Sequence, residues 1–541
     1  MLGDPRVDVW NHAWGPWWFW DCLVQGRLPL ATHLLNAPEG GHLWFIDPVG
    51  AAAGMWLVPI GGVAFAWNVV IVALIAAASV AGRQLALTLG AGPRASWVGA
   101  VGVAASAHVI SELHNGISEA VGVAWGVFAL AALLRATASP GPVRGWVTTG
   151  LLGALTAVGT YYYAVGLGLA AVVVLADALW RGPRRELLRG VVVAAIVAAV
   201  VTIPVILVIE STVADAAHSV IQRDVADWRD RFWVLQHNAV DPLSLFVPGN
   251  FQSVDLSSLG ESFRHSSYLG FFVLIPAIRS PRRRLLWAAA VPVVFSLGPF
   301  LWVGGDWVRL GGHLVALPYR LLVDILPSGA IAHPQRLGFI GIAIVAAVGA
   351  AGVRERQAPW VLGGLLVELL LLSPAPWPVA TTPALDFGYA EAVRAAVAET
   401  SDAPPRAVVD VPANGEGMST SRYLLFQTIH GQPIPYGPNV RADAFRLYGN
   451  GGLAGLVLGS GSAFRQAHIQ DLRRGDAGFI ALHRDLGETA EMESWLRDKL
   501  GDPTEHGPVL LWDVRPADPN APLPPPNRPV GPANASPPAP E

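Results

Sequence analysis

The sequence predicts an α-helical polytopic membrane protein with a C-terminal extracytoplasmic α/β domain, and three observations predict it. Of 541 residues, 52% are hydrophobic and 14% charged, with a mean hydropathy of +0.44. That is too little charge to coat a soluble protein of this size. Apolar runs of membrane-crossing length recur between residues 62 and 375. Beyond 376 the apolar residues fall instead into short runs that alternate with amphipathic segments, as in a small water-facing α/β unit.

Residues 1–47 read as an outer-face loop rich in Trp10, Trp14, Trp17, Trp18 and Trp20, whose amphipathic rings suit the lipid headgroup layer. Residues 48–375 form the multispanning domain. A hydrocarbon core about 30 Å thick takes roughly 20 apolar residues in a helix. Spans are expected at 62–82, 95–111, 117–134, 146–162, 164–180, 190–210, 267–279, 285–303, 336–352 and 359–375. Stretches 48–60 and 311–326, interrupted by Gly and Pro, are expected to be partial or re-entrant helices. Residues 376–515 form the α/β domain, with helices at 388–399, 419–428 and 487–500 and strands at 406–411, 478–482 and 509–514. The tail 516–541 is Pro-rich, has no apolar spacing and is expected to be disordered.

Short basic loops set the orientation. Threading the spans alternately puts Arg83, Arg94, Arg135, Arg144, the group Arg181 to Arg189, the group Arg279 to Arg284, Arg354 and Arg356 on one side, read as the cytoplasm. Residues 1–47, the turn 111–117, the loops 212–265 and 304–335 and everything after 376 then lie outside. Residues 1–47 reach that side if a span precedes Met1 or if the first hairpin carries them across, and the former is expected.

Composition also excludes. A formal net charge of -4 and a pI near 6.4 give no basic bias, so nucleic acid is not an expected partner. The single Cys22 excludes an intrachain disulfide framework. P-loop, dinucleotide fingerprint, HExxH and paired CxxC motifs are missing.

Threading brings three polar clusters to the outer face: Asp4, Asp8 and His12; Glu112, His114, Asn115 and Glu119; and the loop bearing Asp306. Ionisable groups at membrane depth are costly unless paired or used. Asp8 or Asp4 beside aromatic and lipid surface loses hydration, which raises a carboxylate toward the range of a general base for a sugar hydroxyl. A solvated loop binding nothing is the plainer reading. A divalent metal is a second use for these oxygens, although no dedicated metal spacing is present. Helix capping by Ser118 and Glu119 competes with a catalytic or orienting role for that turn.

An anionic lipid phosphate needs donors on the same face, and Arg264, His265, Arg320, His333 and Arg336 supply them. Arg336 follows Pro334 at the start of a span, where a guanidinium can fork onto phosphate oxygens or equally snorkel to ordinary headgroups. Tyr161, Tyr162 and Tyr163 suit stacking on a sugar ring and equally an interfacial aromatic belt.

The segments GDPRVDVWNHAW, LHNGISEAVGVAW, SYLGFFVL, LPYRLLVDILPSGAIAHPQRLGF and RYLLFQTIHGQPI resemble the polytopic GT-C glycosyltransferases, in particular the bacterial set related to protein mannosyltransferase and the YfhO-like membrane proteins. The resemblance implies transfer of a hexosyl or pentosyl group from a polyprenyl-phosphate donor to a glycan, lipid or protein acceptor. It places that chemistry at the outer face of the bacterial cytoplasmic membrane, with an acid of the first outer loop in the active site. Carried onto this chain, that acid is Asp8, with Asp4 as its alternative. Such enzymes begin with a helix before that loop. The competing reading is a non-catalytic lipid or polysaccharide transporter or accessory protein, which would line a path through the membrane with charge; here the span interiors are nearly charge-free.

Overall fold

The computed structural model describes residues 1–37, 40–214, 237–249, 263–325, 332–399, 405–412, 419–437 and 477–515. The expected disordered tail and most of the loop 212–265 lie outside the described residues.

Among the described residues, five helices are long and apolar enough to cross a membrane: Pro48–Thr88, Ser118–Ala138, Tyr161–Arg181, Arg184–Ser211 and Pro334–Gly352. The other expected spans are shorter helices; that at 285–303 is helical only over Leu286–Ser296, and its end, Trp302–Val303, pairs as a strand with Asp306–Trp307. The span at 95–111 divides into Ser96–Ala104 and Ala107–Asn115, because Ser106 turns extended and its hydroxyl accepts from Val109 N at 3.3 Å, capping a new helix. The span at 146–162 ends at Gly159, where Thr160 is extended and a new helix starts at Tyr161. At 267–279 the helix starts late, as Phe271–Arg279. Its first turn is capped by Glu368 from the helix Ala358–Leu371, whose carboxylate accepts from Phe271 N at 2.7 Å, Phe272 N at 3.1 Å and the Tyr268 hydroxyl at 2.6 Å.

The stretch 311–326, expected to be a partial or re-entrant helix, is helical only in its second half. Gly311 and Gly312, both at positive φ, close a hairpin pairing Arg309–Leu310 with His313–Leu314, and a helix follows at Tyr319–Ile325. The stretch 48–60 does form helix, running through Pro48–Gly54 into Val58–Thr88.

Pro334–Gly352 is the hub of the bundle and is buried along nearly all its length, whereas Arg184–Ser211 is exposed or half-buried beyond its first turns and presents its apolar surface outward. Small residues let the hub sit close to its neighbours. At Gly341 a side chain would stand 2.6 Å from the carbonyl oxygen of Ala289.

The Trp-rich loop is also corrected, since it folds as a helix, Val9–Val24, on which Trp10, Trp14 and Trp18 are buried against protein while Trp17 and Trp20 stay partly exposed. Trp10, Trp14 and Trp18, one turn apart, are at most 2% exposed. Trp14 stacks on Trp18 with ring centres 5.4 Å apart and donates to Gln427 Oε1 of the C-terminal domain at 2.9 Å. The α/β domain covers the ring face that lipid was expected to cover.

Among the described residues that domain is built on a four-stranded sheet. Ala407–Val411 runs parallel to Ala477–His483, which pairs antiparallel with Val509–Asp513, and Thr504–His506 forms the far edge. Helices Gly388–Ala398, Tyr423–His430 and Ala490–Leu500 accompany it. The edge strand, sequence TEH, is too polar to be read from hydrophobic alternation.

Candidate active site

The cluster is assembled by sewing the N-terminal segment onto the end of helix Ala107–Asn115. Asp4 N donates to His114 O at 2.8 Å and Asp8 N donates to Asn115 O at 3.1 Å. Gly116 ends that helix in the left-handed region at φ 69°, and a Cβ there would lie 2.8 Å from Val9 Cα. Glycine is required on both counts.

Asp8 stands at the start of helix Val9–Val24, where Asn11 Nδ2 donates to its Oδ1 at 3.1 Å. One turn on, His12 Nδ1 lies 3.2 Å from Glu119 Oε2 and 3.3 Å from Ser118 Oγ. Ser118 in turn donates to Asp47, which accepts from Gly50 N at 2.8 Å and so caps Pro48–Gly54. Arg336, at the start of the hub helix, donates from Nη1 to Glu119 Oε1 at 3.0 Å, and its Nε lies 3.6 Å from Glu112 Oε1. Its guanidinium also sits 5.6 Å from the centre of the Tyr162 ring. The side chains of Glu112, Glu119 and Arg336 are all buried, while Asp8 at the rim is partly exposed.

Asn115 pins the adjacent extended segment, donating from Nδ2 to Arg264 O at 2.9 Å and accepting from Arg264 N at 2.8 Å. That places His265 against Gln335, 3.4 Å between Nδ1 and Nε2, with the His237 ring 5.4 Å away. His333 meets the Tyr162 ring edge-on at 5.5 Å. His108 Nε2 lies 2.9 Å from the Tyr163 hydroxyl, which donates to Ala120 O.

Burial sets the charge states. Loss of hydration holds Asp8 above the usual carboxylate range; Glu119 pushes the same way, against His12, Asn11 and Arg336. Asp47 is raised by burial and by Glu119. Burial lowers His12, and it lowers His265 and His333 well below the ordinary imidazole value, with Arg336 adding to the effect on all three. His265 and His333 are therefore neutral donor–acceptors rather than cations.

Asp8, His12, Glu112, Asn115, Glu119, Tyr162 and Arg336 thus meet in one place. Asp4 and His114 lie at its edge: Arg6 forks onto Asp4 at 3.2 and 3.0 Å, and His114 Nε2 is 3.5 Å from the same carboxylate. Arg320 is held otherwise, its guanidinium 5.5 Å from the Phe300 ring centre, while the neighbouring Tyr319 packs in one apolar cluster with Tyr162. Asp306 sits in a hairpin opposite Val303. Sequence reasoning missed Asp47, His108, His237 and Gln335. For Asp47 there was a signal, since Asp followed by Pro at the start of an apolar run marks a helix N-terminus.

The donor set does not fit a divalent metal as arranged. The Arg336 guanidinium already stands between Glu112 and Glu119, where a dication would join them. Among the described residues no group of three or more His, Cys, Asp or Glu is placed to hold a metal ion.

No protein-family profile matches the chain, and no curated sequence does. Solved structures do match. The archaeal oligosaccharyltransferase AglB from Archaeoglobus fulgidus, in complex with an inhibitory peptide and a dolichol-phosphate, superposes with a TM-score of 0.53 over 90% of this chain at 10% identity. Its apo form gives 0.52 over 89% at 12% identity. The chain has the GT-C fold. It spans 66% of the length of each of those oligosaccharyltransferase chains. A further complex of the archaeal enzyme contains Zn and sulfate and superposes with a TM-score of 0.52 at 11% identity, covering 90% of this chain and 64% of that one. The arabinofuranosyltransferase AftD from Mycobacteria covers 96% of this chain and 40% of its own, at 16% identity and a TM-score of 0.49.

Proposed function

We propose that the chain is a membrane glycosyltransferase moving a hexosyl or pentosyl group from a polyprenyl-phosphate donor to an acceptor at the outer face of the bacterial cytoplasmic membrane. The observation that carries the reading is a partly exposed, desolvated carboxylate, Asp8, at the rim of the buried His12–Glu119–Arg336–Glu112 cluster. A carboxylate that holds its proton more tightly than usual is suited to take one from a hydroxyl.

Asp8 accepts the proton of the acceptor hydroxyl as its oxygen bonds to the anomeric carbon. The bond from that carbon to the donor phosphate breaks, and the phosphate leaves with the electron pair. Arg336 and the neutral His265 and His333 offer hydrogen bonds to the leaving phosphate. Glu119 and His12 hold Asp8 and Arg336 in register. Because Arg336 supplies the positive charge between the glutamates, no step is routed through a metal. The bound dolichol-phosphate of the archaeal neighbour, also a lipid phosphate, supports the donor class. The α/β domain, joined to the Asp8 helix through Trp14 and Gln427, positions a glycan, lipid or protein acceptor.

The test is transfer from a panel of radiolabelled polyprenyl-phosphate sugars by purified protein. Wild type transfers from at least one, and Asp8→Asn, folded by thermal unfolding, transfers from none. Undiminished transfer by Asp8→Asn would remove Asp8 from the reaction.

A further inference from the structure

Three spans that carry cluster residues in their first turn end together at the far side of the bundle. Glu119, Tyr162 and Arg336 open Ser118–Ala138, Tyr161–Arg181 and Pro334–Gly352. The unbroken helix Tyr161–Arg181, 21 residues long, rises about 30 Å, so its other end lies a full membrane thickness away. There the ends of Val58–Thr88, Ser118–Ala138 and Tyr161–Arg181 and the basic loop before Leu286 enclose a cavity of about 300 Å³.

Its wall is basic and its floor apolar. Arg181, Arg282 and Arg284 line it together with Asp177, which forms an ion pair with Arg181 one turn away, so the net positive charge of the wall is carried by Arg282 and Arg284. Arg282 is fixed by Nε donating to Leu89 O at 3.1 Å, and Arg135 reaches the rim by donating to Thr88 Oγ1 at 3.1 Å. Leu134 and Val174 floor the cavity and continue inward into a narrow crevice lined by Leu85 and Leu130. This end is also where the short basic loops gather, the side read as cytoplasmic.

We propose that this cavity binds the phosphate headgroup of an anionic phospholipid of the cytoplasmic leaflet, its acyl chain lying on the apolar floor. The net positive wall, with Arg282 and Arg284 beside the Arg181–Asp177 pair, complements a phosphate diester in charge, the leaflet on that side is the anionic one, and the apolar floor is something a soluble phosphate could not use. Sugar transfer at the opposite face is not needed for this binding.

Native mass spectrometry of the full chain, delipidated and then supplied with phosphatidylglycerol, phosphatidylcholine or inorganic phosphate, tests it. Wild type retains phosphatidylglycerol about tenfold better than phosphatidylcholine, and millimolar inorganic phosphate does not displace it. The Arg181→Gln/Arg284→Gln double variant loses that preference, whereas Arg144→Gln, on the same side but outside the cavity, keeps it. Equal retention of the two lipids by wild type, which needs no variant to fold, overturns the proposal. So does an undiminished preference in the double variant, which would reduce the arginines to general surface anchors. Displacement by inorganic phosphate would make the cavity a site for soluble phosphate and overturn the lipid assignment.

Discussion

The Arg336 guanidinium donates to the Glu119 carboxylate at 3.0 Å across 217 residues of chain, and both side chains are 4% exposed. Removing one partner of a buried pair strands the other charge and costs about 3–5 kcal/mol. Arg336→Met and Glu119→Gln are therefore each expected to lower the thermal unfolding temperature sharply. The double variant should lose clearly less stability than the sum of the two, while sugar transfer is abolished in all three. A double-mutant cycle by thermal unfolding in detergent measures the coupling; strictly additive losses would mean that the pair is not a unit.

Asp8 predicts both a pH profile and a stability sign. Its carboxyl is held above the ordinary range by burial and by Glu119, so if it is the base proposed above, the acidic limb of kcat/KM lies above the usual carboxylate value of about 4. A raised folded-state value means that the folded protein binds this proton more tightly than the unfolded chain. Ionised Asp8 therefore costs stability at neutral pH, and the cost fades as pH falls through the raised value. Asp8→Asn removes that cost, so its unfolding temperature at pH 7 should equal or exceed that of wild type even though activity is gone. A clear drop would assign Asp8 a structural role instead.

Metal removal is predicted to be silent. Arg336 brings a fixed positive charge to Glu112 and Glu119, so dialysis against EDTA should leave sugar transfer unchanged. Activity lost on chelation and restored by a divalent ion would show that Arg336 swings aside in the working enzyme.

The parts of this site that were legible in the sequence are those whose chemistry is out of place locally. Glu119 and Arg336 stand at the edges of apolar runs, where a charge needs a reason. Asp47 is readable only as a helix cap and His108 not at all, because their partners Ser118 and Tyr163 lie 71 and 55 residues away. The Trp helix shows a subtler limit. Trp10, Trp14 and Trp18 recur every fourth residue, which fixes one apolar face but says nothing about whether lipid or protein covers it. The span at 95–111 failed for the opposite reason. Ser106 is a readable cap, but a search for 20-residue apolar runs passes over it.

The Trp14–Gln427 bond joins helix Val9–Val24 to the α/β domain, and Gln427 also donates to Gln432 O at 3.1 Å and to Leu34 O at 2.5 Å. Trp14→Phe keeps the ring but strands the Gln427 acceptor, at a cost of about 1–3 kcal/mol. Trp14→Ala also opens a cavity beside Trp18 and Phe45, at about 3–5 kcal/mol. If the domain positions the acceptor through this joint, Trp14→Phe should raise KM for the acceptor several-fold while leaving KM for the lipid donor and the pH limb of Asp8 unmoved. Limited proteolysis should then cut more readily between the domains in Trp14→Ala than in Trp14→Phe. An equal rise in both KM values would instead mean that the joint serves the cluster as a whole, because a tilt of helix Val9–Val24 displaces Asp8 and His12 together.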